Sequence, residues 1–490
     1  MVEMSNFAHV KDCIMTDKLI SRERECAELR RCMESDESEF IIVCGRRRIG
    51  KTFLVEQYFE KKYDFKYVGG HNMSTRDQLR GFGKALRKYS GRSWGEFPDW
   101  ITAFDALEEY LEGLPGTGRR VVFIDEMPWM DSKRSDFVCA LENFWNGWAV
   151  GQENIVLVAT GSATSWMSDK LLKNRGGLHN RVTCRLNLKP FTLCETEAYL
   201  RSRHCTWDRY QILEVYMALG GVPYYLKKLN VKESAAQNID SLFFSEDGAL
   251  RTEFDELYSA LFASAESYIS VVRALSCHRG GISRQRISEI VKFNGSNLTR
   301  ILKNLELCGF ISEVRIYGSR KRGFLYQLSD FYTLFYFRFV DGRQSADVGW
   351  WLRHSREPEV MSWLGVTFEL VCHRHLREIK HALGVGGVET EFSMWSQSAV
   401  KGVSGGGQID MVMERADRII HLFEVKFSIG RYNLTEKYCG ELREREALFR
   451  EATGTRYATV QTFLTTYGVN HPENWSIVHS EVMMDDLFWG

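Results

Sequence analysis

Three stretches of this 490-residue chain have residue types and spacings suited to phosphate or carboxylate chemistry. Residues 39–52 read E-F-I-I-V-C-G-R-R-R-I-G-K-T. An apolar run meets Gly45, four residues follow, and then come Gly50, Lys51 and Thr52. Glycines in this pattern let backbone N–H groups wrap phosphates at the start of a helix. Lys51 would reach the β- and γ-phosphates, and Thr52 would ligate Mg²⁺. Arg46, Arg47, Arg48, Ile49 and Phe53 complete the expected nucleotide-binding segment. Residues 119–130, R-R-V-V-F-I-D-E-M-P-W-M, place Asp125 and Glu126 at the end of an apolar strand. There Asp125 can hold the Mg²⁺ shell and Glu126 can polarise an attacking water. The third stretch is residues 408–427, two strand patterns that carry Asp410 on the first and Glu424 and Lys426 on the second. Period two sets Glu424 and Lys426 on one face and Val425 on the other. Hairpin pairing can bring Asp410 beside them, and charges gathered on apolar strands need a reason to be there.

The elements that must position these residues can also be read. Residues 154–159 form a third apolar strand ending in Thr160, Gly161 and Ser162. A polar side chain there either senses the γ-phosphate or, as Ser162, caps the next helix. Helical patterns at 77–89 and 100–111 alternate with the strands, which predicts a doubly wound parallel α/β sheet. Residues 220–226, G-G-V-P-Y-Y-L, read as a turn between two lid helices.

From residue 268 the pattern becomes helix-turn-helix. Helices are expected at 268–277 and at 283–291, with Ile287 and Ile290 inward. A third, capped by Ser296, has Leu298, Ile301, Leu302 and Leu305 in register, and Gly309 ends it. A hairpin follows at 310–317 and 324–328, with a basic tip at Arg320, Lys321 and Arg322. This is the plan of a winged helix. Residues 269–345 hold 13 Lys+Arg against 5 Asp+Glu. Thr299, Arg300, Lys303 and Asn304 on the exposed face of the third helix, with the tip, can neutralise DNA phosphates. The competing role is a protein-packing module between the nucleotide-binding and C-terminal parts. The aromatic run at 330–340 is expected to be a buried helix rather than a base-stacking surface.

Composition sets outer limits. The chain has 64 Lys+Arg and 64 Asp+Glu, so a uniformly basic nucleic-acid coat is excluded, though a basic module offset by acidic ones is not. With 44% hydrophobic residues and 7 prolines it reads as globular, with no long linkers. No apolar run approaches the ~18 residues of a membrane span, and no secretory signal is recognisable. The 12 cysteines are scattered without C-x-x-C pairs and read as small buried hydrophobes of a reducing cytoplasm.

In order, G-R-R-R-I-G-K-T, F-I-D-E-M-P-W-M, A-T-G-S, L-K-P-F and G-G-V-P-Y-Y-L resemble the archaeal-type AAA+ ATPases of prokaryotes. These are STAND-like P-loop proteins, many with a C-terminal DUF234 domain. The R-E-R-E-C-A-E-L run at 22–29 resembles the family's entry motif. The resemblance implies ATP and Mg²⁺ as cofactors, and an arginine after the third strand that acts on a neighbour's nucleotide within a homo-oligomer. Arg181 is the best match and Arg175 its competitor. The D…E-x-K set resembles the PD-(D/E)XK nuclease superfamily. That implies Mg²⁺ on Asp410 and Glu424, a water-orienting Lys426, and Glu369 as the extra carboxylate of the first helix. His373 and His375 are expected on the helix surface.

The expected organisation is an α/β multidomain chain. It comprises a P-loop ATPase core at 1–190, a helical lid at 191–262, a winged helix-turn-helix at 263–345, and a restriction-endonuclease-like α/β domain at 346–490. The expected function is a cytoplasmic ATPase that couples nucleotide state to DNA binding and metal-dependent cleavage, in defence or mobile-element control, with no membrane partner. The alternative is a non-cutting DNA-binding or STAND-type signalling switch with an inactive nuclease fold.

Overall fold

The computed structural model describes residues 19–132, 135–162, 166–167, 178, 180–262, 264–293, 295–319, 323–343, 345–397, 406–470 and 477–490. The chain divides into two compact units, one ending at Lys189 and the other spanning Pro190–Gly490. No described helix is long and apolar enough to cross a membrane.

The first unit is built on a sheet whose three central strands are buried on both faces. In order it contains α1 (Glu23–Met33), β1 (Glu39–Gly45), α2 (Lys51–Tyr58), β2 (Phe65–Val68), α3 (Thr75–Ser90), α4 (Trp100–Glu112), β3 (Arg120–Asp125), α5 (Phe137–Asn143), β4 (Ile155–Ser162) and β5 (Cys184–Leu188). The sheet order is β2-β3-β4-β1-β5, every pair parallel. Alternation along β1 sends Phe40, Ile42 and Cys44 into one core and Ile41 and Val43 into the other. This is how a parallel sheet reads when helices cover both faces. Strand β4 inserts between β1 and β3, so the end of β4 lies between the glycine loop and the acidic pair. Ser74 caps α3 by accepting from the Asp77 N–H, and Asp99 caps α4 through Thr102.

The second unit begins with α6 (Leu193–Ser202), α7 (Arg209–Leu219), α8 (Pro223–Lys227), α9 (Ala235–Phe244) and α10 (Glu253–Leu261). Capping boxes at Thr192/Glu195, Asp208/Gln211 and Ser234/Gln237 start three of them. The turn expected over 220–226 is confined to 220–222, because α8 already starts at Pro223. Gly221, at φ 67°, is required there because a Cβ would fall 2.3 Å from the Phe191 carbonyl oxygen. Then come α11 (Ala265–Ser276), α12 (Arg284–Val291), α13 (Gly295–Leu307) and an antiparallel hairpin of β6 (Ile311–Arg315) and β7 (Phe324–Leu328). The aromatic run forms α14 (Phe331–Phe335) and a π-turn (Tyr336–Val340). It is buried as expected, with the Phe254 and Tyr336 rings stacked at 4.2 Å.

The remainder contains α15 (Trp350–His354), α16 (Pro358–Arg374), α17 (Leu376–Ala382), β8 (Thr390–Gln397), β9 (Gly407–Arg415), β10 (Ile419–Lys426), β11 (Tyr432–Asn433), α18 (Glu436–Thr453), β12 (Ala458–Thr465), β13 (Val469–Asn470) and β14 (Ser480–Met483). Its mixed sheet runs β14-β12-β10-β9-β8. Strands β10, β12 and β14 are parallel, while β8, β9 and β10 form an antiparallel meander.

Several local expectations are corrected. Helix α13 starts at Gly295, so Ser296 lies inside it and is not its cap. Ile290 is exposed, because only Ile287 of that pair faces the core. Asn304 is buried and donates to the Tyr268 hydroxyl at 2.8 Å, so it is not on the exposed face. His375 is fully buried and His373 half-buried, not helix-surface residues. His375 accepts from the Leu193 N–H and donates to the Val371 carbonyl, and burial pushes its pKa down to about 4. Most described cysteines are buried and none is in a disulfide, but Cys139 and Cys277 are exposed.

Candidate functional site

Strand β1 ends at Gly45, where φ is 153° and a Cβ would lie 2.6 Å from the Leu188 carbonyl oxygen of neighbouring β5. Only glycine lets the loop leave the sheet there. The loop turns through Arg48 at φ 76°, an uncommon left-handed conformation for a non-glycine residue, and Gly50 at φ 86° opens α2. Arg46 and Ile49 are buried, Arg47 and Arg48 half-buried, and Phe53 exposed. Lys51 is buried. Its Nζ donates to the Arg46 carbonyl at 3.2 Å and stands 4.0 Å from Glu126 Oε1.

The acidic pair meets this loop. Thr52 Oγ1 lies 3.0 and 3.1 Å from the two carboxylate oxygens of Asp125. Thr160, at 0% exposure, donates its hydroxyl to Asp125 Oδ1 and accepts the Glu126 N–H at 3.0 Å. Thr160 therefore fixes both acids, while Ser162 ends β4. Burial raises the Glu126 pKa, and Asp125 raises it further, while Lys51 and Arg47 pull it down. Lys51, Thr52, Asp125 and Glu126 are thus brought together as expected. The close pairing of Thr52 with Asp125 and the shaped glycine loop fit a nucleotide with its Mg²⁺.

Arg181 is exposed, in a turn where its N–H donates to the Leu178 carbonyl. Arg175 lies outside the described residues. Arg22, the first residue of the 22–29 run, is buried at φ 75°, and its Nη2 donates to the Lys189 carbonyl at 2.7 Å.

In the second unit, α16 carries Glu369, β9 carries Asp410, and β10 carries Glu424 and Lys426. The Glu369 pKa is pushed up to about 8, first by burial and then by Asp410 and Glu424, with Lys426 and Arg279 opposing. The three carboxylates therefore share one field. Glu424, however, is already satisfied. Lys426 Nζ is 2.7 Å from Oε1, Arg445 Nη1 is 2.8 Å from Oε2, and the Tyr438 hydroxyl also donates to Oε1. Burial disfavours the Lys426 ammonium, but Glu424 and Tyr438 together more than offset this and keep it charged. Gln408 donates to Asp410 at 2.6 Å. Among the described residues no three His, Cys, Asp or Glu side chains form a metal-holding group. The arrangement is an ion-pair network and does not fit a metal ion as it stands. Tyr438 and Arg445, seven residues apart on one face of α18, were missed because only their helical phase betrays them.

On the helix-turn-helix elements, Arg300 is exposed and donates to Asn297, and Lys303 is half-buried. Arg284, unremarked in the sequence, is exposed and donates to Thr299 at 3.0 Å. Arg320, Lys321 and Arg322 lie outside the described residues. The hairpin is tied to the C-terminal sheet. The Tyr317 N–H donates to the Met394 carbonyl at 2.7 Å, its hydroxyl donates to Glu414 at 2.6 Å, and Arg315 pairs with Glu391.

Residues 19–229 match a family model described as an ATPase domain predominantly from Archaea. The first part of the chain carries an archaeal-type ATPase domain. Over a longer span, the chain is 26% identical over 364 residues to the uncharacterized protein MJECL04 of Methanocaldococcus jannaschii, covering 74% of this chain and 77% of that protein. Among solved structures it is similar to the Walker-type ATPase PABY2304 of Pyrococcus abyssi, with a TM-score of 0.48 and 17% identity over 65% of this chain and 96% of the other. The ORC2 protein of Aeropyrum pernix gives a TM-score of 0.40 and 14% identity over 73% and 96%.

Proposed function

We propose that the chain is an ATP hydrolase that couples its nucleotide state to DNA binding by its second half. The observation that carries the hydrolase reading is the convergence of Lys51, Thr52, Asp125, Glu126 and Thr160 at the end of the parallel sheet. Backbone N–H groups of the Gly45–Thr52 loop would hold the β- and γ-phosphates, and Lys51 would meet their charge. Thr52 and Asp125 would hold Mg²⁺, which when bound neutralises charge developing on the phosphates. Glu126, half-buried and with a raised pKa, is suited to accept a proton from the attacking water. Thr160 holds the backbone of Glu126 in place for that step. The exposed Arg181 is available to a neighbouring copy, so the ATPase would assemble as a homo-oligomer. Wild-type chain should release phosphate from ATP, and Lys51→Ala should abolish both release and nucleotide binding. A Lys51→Ala chain that hydrolyses at the wild-type rate contradicts the reading.

For the second half, the support for DNA is the basic balance of residues 269–345, with Arg284, Arg300 and Lys303 on α12 and α13, and with Arg320, Lys321 and Arg322 between β6 and β7 in the sequence. We read this as a winged helix with those residues on phosphates. The element order of the C-terminal sheet supports a nuclease-like fold. For the carboxylates Glu369, Asp410 and Glu424, with Lys426, the saturation of Glu424 by three donors favours the non-cutting alternative over cleavage. A Mg²⁺- or Mn²⁺-dependent cleavage assay on DNA and RNA, with and without ATP, decides between them. Cleavage lost in Glu424→Ala would restore the nuclease reading.

A further inference from the structure

The ATPase domain carries a second concave feature that the hydrolytic site does not use. Helix α3 and the segment 91–99 that joins it to α4 enclose an open groove of about 680 Å³. One wall is a stripe of cations, Arg76, Arg80, Lys84 and Arg87. They recur at i, i+4, i+8 and i+11, so they lie on one side of the helix and span about 16 Å. All four are exposed, while the opposite side of α3 buries Leu79, Phe82 and Leu86 in the core. The other wall presents the half-buried rings of Trp94 and Phe97. Trp94 is fixed by a 2.9 Å bond from its indole N–H to Ser90 and by the Arg92 guanidinium 4.2 Å from its ring centre.

The local charge is not balanced. Residues 75–98 hold 6 Lys+Arg against 2 Asp+Glu. Asp77 pairs with Arg80 at 2.8 Å, and Glu96, on the groove itself, stands 3.9 Å from Arg76. Both pairs are largely exposed, so they hold these cations weakly and can yield to a stronger anion. A solvated helix face needs neither the concavity nor the aromatic wall. A channel combining cations about one turn apart with flat rings has the two components that bind single-stranded nucleic acid: charge for the backbone and stacking surface for bases. Duplex reading in the major groove instead calls for a projecting element, and these residues line a hollow.

We propose that this groove binds a short stretch of single-stranded nucleic acid, with phosphates on Arg76, Arg80, Lys84 and Arg87 and bases against Trp94 and Phe97. The proposal is independent of the DNA contacts assigned to the second unit. The test uses the full chain and a fluorescein-labelled oligothymidylate, about 16 nucleotides long to cover a full site, read by fluorescence anisotropy across a salt series. Arg80→Glu with Lys84→Glu should weaken binding at least about tenfold and make the log–log salt slope shallower by about 1.4, at ~0.7 per phosphate contact. Binding of a fluorescent ATP analogue should not change. Trp94→Ala should weaken oligothymidylate binding by about fivefold or more, in line with one lost base stack, while leaving heparin binding unaltered. Arg76→Gln with Arg87→Gln supplies the charge test again if the double reversal fails to fold. Unchanged oligothymidylate affinity in the charge and Trp94 variants overturns the proposal. So does an equal loss of heparin or polyglutamate binding in Trp94→Ala, which would mark the groove as a general polyanion surface.

Discussion

Replacing Glu369 by glutamine tests the charge arrangement of the second unit. Its carboxyl is pushed up to about 8 by burial and by Asp410 and Glu424. A folded pKa above the ordinary carboxylate value means that the folded chain holds a proton that the unfolded chain releases near pH 4.5. The stability associated with that proton is fully present below about pH 4.5 and is lost as pH rises through about 8. Each tenfold change in proton affinity corresponds to ~1.4 kcal/mol, which gives a ceiling of about 5 kcal/mol. Glu369 is not sealed from water, and Lys426 and Arg279 can shift toward its carboxylate, so about 2 kcal/mol is the expected effect at pH 9. Glutamine mimics the protonated acid and has no charge to develop. In metal-free buffer with chelator, urea unfolding should show the two chains nearly equal at pH 5. Glu369→Gln should be more stable by about 2 kcal/mol at pH 9, seen as a higher midpoint at unchanged slope. The same stability difference at pH 5 and pH 9 would refute the reasoning, because it would mean that Glu369 does not titrate between them.

Three further outcomes are expected. Gly45→Ala should destabilise the ATPase domain by about 3 kcal/mol or prevent its folding, since the Cβ meets the Leu188 carbonyl; thermal unfolding monitored by circular dichroism measures this. Thr160→Val deprives Asp125 of one donor and leaves the Glu126 N–H without its acceptor. It should lower kcat for ATP by about 10- to 100-fold while changing nucleotide affinity by less than about threefold, a loss of roughly 1–3 kcal/mol in positioning. Changing Arg320, Lys321 and Arg322 together to alanine should make the salt slope of duplex DNA binding shallower by about 2.7, at ~0.9 per phosphate; an unaltered slope in a filter-binding series would remove the hairpin tip from the DNA interface.

The parts legible in the sequence are those where one residue type has one structural use. The glycine loop, the acidic pair after an apolar strand, and the alternation that puts Glu424 beside Lys426 all depend on local geometry, and the structure brings each set together. Strands β2 and β5 were not anticipated. Strand β2 has four residues, and β5 (C-R-L-N-L) alternates polar and apolar as the exposed edge of the sheet does, so neither has the unbroken apolar run that marked the others. Asn304 and Ile290 were misplaced for a related reason. Helical phase predicts which side a residue occupies, but which side is covered depends on partners distant in sequence, here Tyr268 for Asn304. Arg445 and Tyr438 lie 21 and 14 residues beyond Glu424, and nothing local in α18 announces that they close its carboxylate.

The proposed role of Glu126 is that of general base in a nucleotide site whose grip depends on Lys51 and Thr52. Its most direct test is steady-state phosphate release by Glu126→Gln, measured beside the affinity of the same variant for ATP. Affinity should stay within about threefold of wild type, and hydrolysis should slow by about a hundredfold or more. Hydrolysis at the wild-type rate by Glu126→Gln would contradict that role and place the base elsewhere.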